Sequence, residues 1–356
     1  MLDLASLYAA PMVATLLADH GADVVKVEPP AGDTYRAWPA MWAVVGRGKR
    51  SLTLDLTQPD GCALLHRLLP SFDVVVENLP RRVSEARGLT PEAIRATNPR
   101  LVVVSASGFG HEGPYAGRPV NGTLGEALSG LTHMTGEAAG APMLPSVPLG
   151  DAVAAAYGAF GALVGVVGQL RSGEGAQIDL TVFEPMLHAL GPALPAQRTG
   201  EPSAVRDGGA MWLDARGTFQ ASDGRWLALS CTTPRQERSV AELVGDGADP
   251  LRERIATWIA GRSREAALDG LVAARVPAVP VNDLADVLAD PQVIARGSVQ
   301  WLDEAPVAAP APRIAGVDER EPSVAALGDA NEALLQGQLG LTSADVDELR
   351  ARGIVA

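Results

Sequence analysis

Asp151 stands at the head of a long uncharged run, Ala152 to Leu170, entered through Pro148-Leu149-Gly150. Within that run Gly158, Gly161, Gly165 and Gly168 recur at spacings of three and four. Those spacings place all four on one helix face, where another backbone can approach closely. A carboxylate at the positive end of such a helix stays ionised and fixed in place. Fixed and partly dry, it has the properties of a nucleophile. Two plainer readings compete. Asp is a common helix N-cap, and residues 152–170 are long enough to cross a bilayer. The run is Ala and Gly rather than Leu, Ile and Phe, and no Lys/Arg cluster or Trp/Tyr belt flanks it. That argues for a helix of a soluble protein, buried on all sides.

Three other segments gather positive charge. Gly32-Asp33-Thr34-Tyr35-Arg36-Ala37-Trp38 is one, Gly46-Arg47-Gly48-Lys49-Arg50-Ser51 the second, and Glu77-Asn78-Leu79-Pro80-Arg81-Arg82 the third. Against a formal net charge of −13, basic loops at one end of a sheet suit a phosphate-bearing ligand. Solvated surface charge would give the same pattern. The acidic balance argues against nucleic acid as the main partner. The five histidines show no metal-ligand spacing, so no metal is expected. Cys62 and Cys231 are isolated, which fits a reducing cytoplasm. Met1-Leu2-Asp3-Leu4-Ala5 lacks the basic start of a secretory signal. There is no P-loop and no serine elbow, and Gly108-Phe109-Gly110 is too short for a dinucleotide fingerprint.

The elements that must position these groups alternate. Residues 10–20 read as a helix stopped at His20-Gly21, and 22–28 as a strand closed by Pro29-Pro30. Ser51 to Leu56 alternates as a strand, 61–69 is a helix, and Asp73 to Glu77 is a buried strand. Pro91 to Thr97 is a helix, Leu101 to Ser105 a strand, and Gln177 to Val182 another. This rhythm predicts an α/β fold whose large domain has a mostly parallel, Rossmann-like sheet. Ligands of such sheets sit beyond the carboxyl ends of the strands. A smaller α+β domain follows, with a hairpin turning at Ser222-Asp223-Gly224 and helices near 236–245, 250–260 and 263–274. At 356 residues, the chain suits a large domain over 1–198, a linker 199–212 and a small domain 213–304. A Pro-rich returning linker, 305–325, leads to a segment 326–356 that completes the large domain.

These segments, in this order, resemble the class III CoA-transferase family, which includes formyl-CoA transferase, carnitine CoA-transferase and α-methylacyl-CoA racemase. The likeness is carried by Leu16 to Glu28, Gly48-Lys49-Arg50-Ser51-Leu52, Val76-Glu77-Asn78, Asn98 to Leu101, Ser107 to Gly110 and Gly113-Pro114-Tyr115. It continues through Ala127 to Gly130, Gly150-Asp151, Gly173 to Gln177, Gly270 to Pro277, Pro280 to Asp283 and Asp290 to Val293. The resemblance implies that Asp151 is the catalytic aspartate. It implies that Arg36, Lys49 and Asn78 contact coenzyme A, with Arg50 beside them. It also implies an interlocked homodimer. In the family's transferases the aspartate attacks an acyl-CoA thioester, passes through a mixed anhydride and an aspartyl-CoA thioester, and delivers CoA to a carboxylic acid.

Departures refine that expectation. The racemases carry a His where Asn121 stands, and Asn cannot move a proton. A 2-methylacyl- or 2-arylpropionyl-CoA racemase would then need His111 or His133. Formyl-CoA transferase has a Gln where Tyr8 stands. The family's Arg after the Glu-Asn loop aligns with Ala86, which leaves Arg82 or Arg87 for its phosphate contact. Gly208-Gly209 comes nearest to the Gly-rich lid. The chain begins inside the first strand, as a truncated start would. The expected function is a CoA-transferase with acyl-CoA and a carboxylic acid as partners. The racemase and a catalytically silent CoA-binding relative are the alternatives.

Overall fold

Six strands pair in parallel: β1 (Leu2–Asp3), β2 (Val24–Glu28), β3 (Lys49–Thr53), β4 (Val74–Glu77), β5 (Val102–Ser107) and β6 (Gln177–Thr181). Val75 and Val103 join Leu2, Val25 and Leu52 in one buried cluster, while Val74, Val76, Val102 and Val104 join Val13, Ala155 and Leu180 in another. Runs buried on both sides are the signature of a sheet covered by helices on both faces. The strand order is β3-β2-β1-β4-β5-β6. The winding therefore reverses between β1 and β4, and the crevice beyond their carboxyl ends is where ligands of such sheets bind.

The computed structural model describes residues 1–199, 206, 208–209, 213–317 and 319–356. They form two units, one of residues 1–128, 147–186 and 297–356, the other of residues 129–146 and 187–296. In the first unit the C-terminal residues Leu334, Leu335, Val346, Leu349 and Ile354 enter the same core cluster as Leu2 and Val25. In the second, β7 (Arg216–Gln220), β8 (Trp226–Ser230) and β9 (Ala278–Pro280) form an antiparallel sheet. Phe219, Leu227 and Leu229 pack against Val240, Ile255, Ile259 and Leu271 of its helices. Of the expected linker 199–212, residues 200–205, 207 and 210–212 lie outside the described residues. Residues read as the start of the returning linker form β11 (Ala305–Ala308), paired with β10 (Val299–Leu302).

Two expectations change. β3 starts at Lys49 rather than Ser51. Lys49 looked like loop charge, but its ammonium is buried against Asp3. The helix Leu149–Ser172 is not buried on all sides. Gly158 meets Val13 and Leu180, and Gly165 meets Val102, so closely that a Cβ would clash, whereas Gly168 faces open space. The opposite face carries Tyr157, Phe160, Leu163, Val164, Val167 and Leu170, all exposed, Leu170 by 75%. One helix can meet the sheet along only one side; its second apolar face has no cover within this chain's first unit. By length and composition alone this helix could also cross a membrane.

Candidate active site

The helix Leu149–Ser172 begins without a side-chain cap, its N-cap being Pro148. Asp151 is thus the third helical residue, not the cap. The orphaned N–H of Gly150 is taken instead by Glu126, whose Oε1 accepts it at 2.7 Å. Glu126 belongs to the helix Gly122–Ser129 and is only 1% exposed. Gly122, at the start of that helix, donates its N–H to the Asp151 carboxylate. A Cβ on Gly122 would stand 2.3 Å from Asp151 Oδ2, and one on Gly150 would stand 2.7 Å from the Gly122 carbonyl oxygen. Two glycines therefore let the helix starts close on each other and fix Asp151 between them.

The result differs from the freely ionised carboxylate expected at a helix start. Burial, reinforced by the Glu126 charge and only partly offset by the Gly122 N–H, raises Asp151 to about 6. At neutral pH it remains mostly ionised, and a carboxylate raised in this way is the stronger nucleophile. Two phenols feel its charge. Burial raises Tyr8, with Arg47 opposing and Asp151 adding to the rise; burial and Asp151 also raise Tyr35. Tyr8 precedes the helix Ala9–Asp19, and Tyr35 sits in the 3₁₀ turn Thr34–Ala37. Each carries a hydroxyl that can donate a hydrogen bond.

Glu126, Gly122 and Tyr35 were not singled out by sequence. Glu126 did carry a signal, as the only charged residue between Pro119 and Met134. Replacing it by Gln keeps an oxygen for the Gly150 N–H and removes the like charge. Asp151 should then ionise at lower pH, while burial still holds it above an ordinary aspartate. With Asp151 as the reacting group, an acidic limb of the pH–rate profile is expected near 6, and it should move to lower pH in Glu126→Gln. An unmoved or rising limb would show that Glu126 does not act on Asp151 electrostatically.

The expected phosphate ligands divide. Lys49 turns inward: its Nζ donates to Asp3 Oδ2 at 2.7 Å and to the Pro11 carbonyl at 2.7 Å, and it is 5% exposed. It has no solvent face to offer a phosphate and ties β3 to β1. Arg36 is also committed internally. Its Nε and Nη2 donate to the two Glu28 oxygens at 2.6 and 2.7 Å, its Nη1 donates to the Ala325 carbonyl, and it stacks on Trp42. Asn78 accepts from the Ser6 N–H at 3.0 Å and donates to the Ser6 carbonyl at 2.8 Å. It clamps the loop after β1 to the loop after β4, across the reversal of the sheet. Arg50 pairs loosely with exposed Asp23, Arg82 is exposed on the helix Arg81–Arg87, and Arg87 acts on Asp55 through its charge. Arg82 and Arg87 follow β4 at the carboxyl end of the sheet, whereas Arg50 opens β3 at its amino end.

Asn121 caps the helix Gly122–Ser129, its side chain and carbonyl oxygens both accepting from the Leu124 N–H. His111 is bonded to Ser105. Gly208 and Gly209 both have left-handed backbone, φ 69° and 85°. They line a cavity of about 520 Å³ in the second unit with Arg216, Thr218 and Ser230. Among the described residues no group of His, Cys, Asp or Glu has a metal-holding arrangement.

Comparison with known proteins sets this geometry in a family. The model of CoA-transferase family III matches residues 1–325. The succinyl-CoA–D-citramalate CoA-transferase of Chloroflexus aurantiacus is 32% identical, over 100% of this chain and 96% of that protein. The succinate–glutarate CoA-transferase of Agrobacterium fabrum is 32% identical, over 83% of this chain and 82% of that protein. A crystal structure of a CAIB/BAIF family protein from Brucella suis is 30% identical and superposes with a TM-score of 0.82, over 95% of this chain and 97% of that one.

Proposed function

The chain belongs to CoA-transferase family III and is an enzyme of that class, and from that premise we propose that Asp151 moves CoA from a dicarboxylic acyl-CoA to a second dicarboxylic acid. The observation that carries this is the Asp151 carboxylate, raised to about 6 and held by Gly122 with two phenols in its neighbourhood. The carboxylate attacks the thioester carbonyl. The C–S bond breaks, leaving an acyl-aspartyl anhydride and CoA thiolate. The thiolate attacks the aspartyl carbonyl, which releases the donor acid and leaves an aspartyl-CoA thioester. The acceptor carboxylate displaces the thiolate to form a second anhydride, and the thiolate then takes the acceptor acyl group and frees Asp151. The developing oxyanions need donors, a role open to Tyr8 and Tyr35. The anhydrides need protection from water.

The substrate class follows the relatives, whose names pair succinyl-CoA or succinate with citramalate and glutarate. Arg82 and Arg87, after β4, are the proposed phosphate contacts. The racemase reading is weakened because Asn121 serves as a helix cap. Two free, buried cysteines suit work in a reducing cytoplasm. The test is a panel of succinyl-, glutaryl- and aliphatic monoacyl-CoA donors against mono- and dicarboxylic acids, read by mass spectrometry. Transfer confined to monocarboxylic pairs would overturn the substrate class, and α-proton exchange without transfer would overturn the reaction.

The same proposal includes a homodimer, in which a second copy covers the exposed face from Tyr157 to Leu170. A stripe of six large apolar residues along one helix is more than a free surface normally shows. Its partner need not be lipid, because the other face of this helix is core packing against the sheet. If the chains interlock, as the family resemblance implies, dilution cannot separate them. Sedimentation at nanomolar concentration should give dimer only; a folded monomer would reject the arrangement.

A further inference from the structure

Across three neighbouring strands, the register sets Glu77 of β4 beside Ser105 of β5, and Ser105 beside Asp179 of β6. This polar row crosses the sheet near its carboxyl end, on the face away from the helix Leu149–Ser172. Glu77 and Ser105 are both buried. The Ser105 hydroxyl donates to Glu77 Oε1. His111, in the loop after β5, reaches back so that its Nε2 lies 2.8 Å from Ser105 Oγ, while its backbone N–H donates to Asp179 Oδ2. With the serine proton on Glu77, the imidazole Nε2–H is the donor to Ser105. The proposed chemistry at Asp151 uses none of these groups, yet they form a continuous chain of hydrogen bonds.

The chain leads toward the nucleophile. Glu77 Oε2 accepts the Leu79 N–H at 2.8 Å, which fixes the turn that carries Asn78. Asn78 in turn holds Ser6 through both its amide oxygen and its amide nitrogen. Next to Ser6 stands Leu7, with φ 66°. A non-glycine residue in left-handed backbone persists only where its surroundings over-determine it. Beyond Leu7 is Tyr8, which opens the helix Ala9–Asp19; that helix packs on the helix that Asp151 begins, Val13 against Gly158, and the Tyr8 phenol feels the Asp151 charge. We propose that His111 is a positioning residue: through Ser105, Glu77 and the Asn78 clamp, it holds the strained Ser6-Leu7-Tyr8 loop in the geometry that sets Tyr8 near Asp151. This rests on the transferase reading of Asp151 and adds to it a residue that touches no substrate.

A double-mutant cycle tests the route. His111→Ala and Asn78→Ala break one path at two points, so their effects should not add. Each single variant should lower kcat about ten-fold with little change in KM for the donor acyl-CoA, and the double variant should lose about ten-fold rather than a hundred-fold. His111→Gln, whose amide can still donate to Ser105, should recover most of the rate. Ser105→Ala, a small change that cuts the same path, should match His111→Ala and serves if the latter does not fold. Additive losses, or a wild-type rate in both His111→Ala and Ser105→Ala, would overturn the proposal. So would a loss seen only as a lowered melting temperature, without rescue by Gln. If wild type transfers nothing across the donor panel, the transferase reading fails instead, and the two failures are thereby told apart.

Discussion

Asp151→Asn is expected to fold, bind CoA and lose transfer by about four orders of magnitude or more, the scale on which removal of a nucleophile is felt. Asn has the volume of Asp, and its amide oxygen can still accept the Gly122 N–H that holds the native carboxylate. The helix start does not depend on the charge, because Glu126 serves the Gly150 N–H. Removing Asp151 also removes a half-buried carboxylate that sits near Glu126, so stability should hold or rise. On the proposed mechanism every covalent intermediate forms on Asp151, so the variant can make none of them. Wild type mixed with donor acyl-CoA alone should therefore carry an acyl or CoA adduct on the peptide containing Asp151, and the variant should carry none. Calorimetry should find CoA affinity in the variant close to wild type. Transfer at even a hundredth of the wild-type rate, with deamidation excluded by peptide mass, would remove Asp151 from the chemistry.

The parts of this picture that were legible in sequence are those set by periodicity and order. The valine runs at 74–76 and 102–104 gave a doubly covered parallel sheet because nothing else buries both faces of a short strand. The place of Asp151 in the first turn of a long helix was legible from the uncharged run behind it, but its role was not, because an ordinary cap would leave the same pattern. The second face of that helix was misread, since an all-round apolar composition cannot say whether this chain or another covers each side. The setting of Asp151 was hidden too. Glu126 and Gly122 lie 25 and 29 residues before it, and no pattern announces that two helix starts will meet there. The internal partners of Lys49 and Arg36 were hidden for a related reason. Sequence reports their charge but not the acids that the fold brings to them, Asp3 from β1 and Glu28 from β2. The sheet brings Asp3 to Lys49 across 46 residues, while the turn after β2 folds Arg36 back on Glu28.

Lys49→Ala carries the largest stability effect, because it breaks a buried ionic cluster rather than a surface contact. Asp3 is 0% exposed, 2.7 Å from Lys49 and 3.8 Å from Lys26. Burial would raise Asp3, but Lys26 and Lys49 together hold it below the usual carboxylate range. Burial in turn draws Lys49 down to about 8, partly offset by Asp3. Removing Lys49 leaves Asp3 to Lys26 alone and strips the Pro11 carbonyl of a donor. Loss of one partner from a buried pair costs about 3–5 kcal/mol. Chemical denaturation should show a loss of this size, and calorimetry on the folded variant should show CoA affinity unchanged. A variant of normal stability that no longer binds CoA would return Lys49 to the role of phosphate ligand. The paired change Asp3→Asn with Lys49→Met separates charge from packing. It removes both ions and keeps the volume, so it should recover much of the loss, since a buried pair replaced as a whole is often neutral. A double variant as unstable as Lys49→Ala would mean that Lys49 matters for its stem and its Pro11 contact, not for its charge.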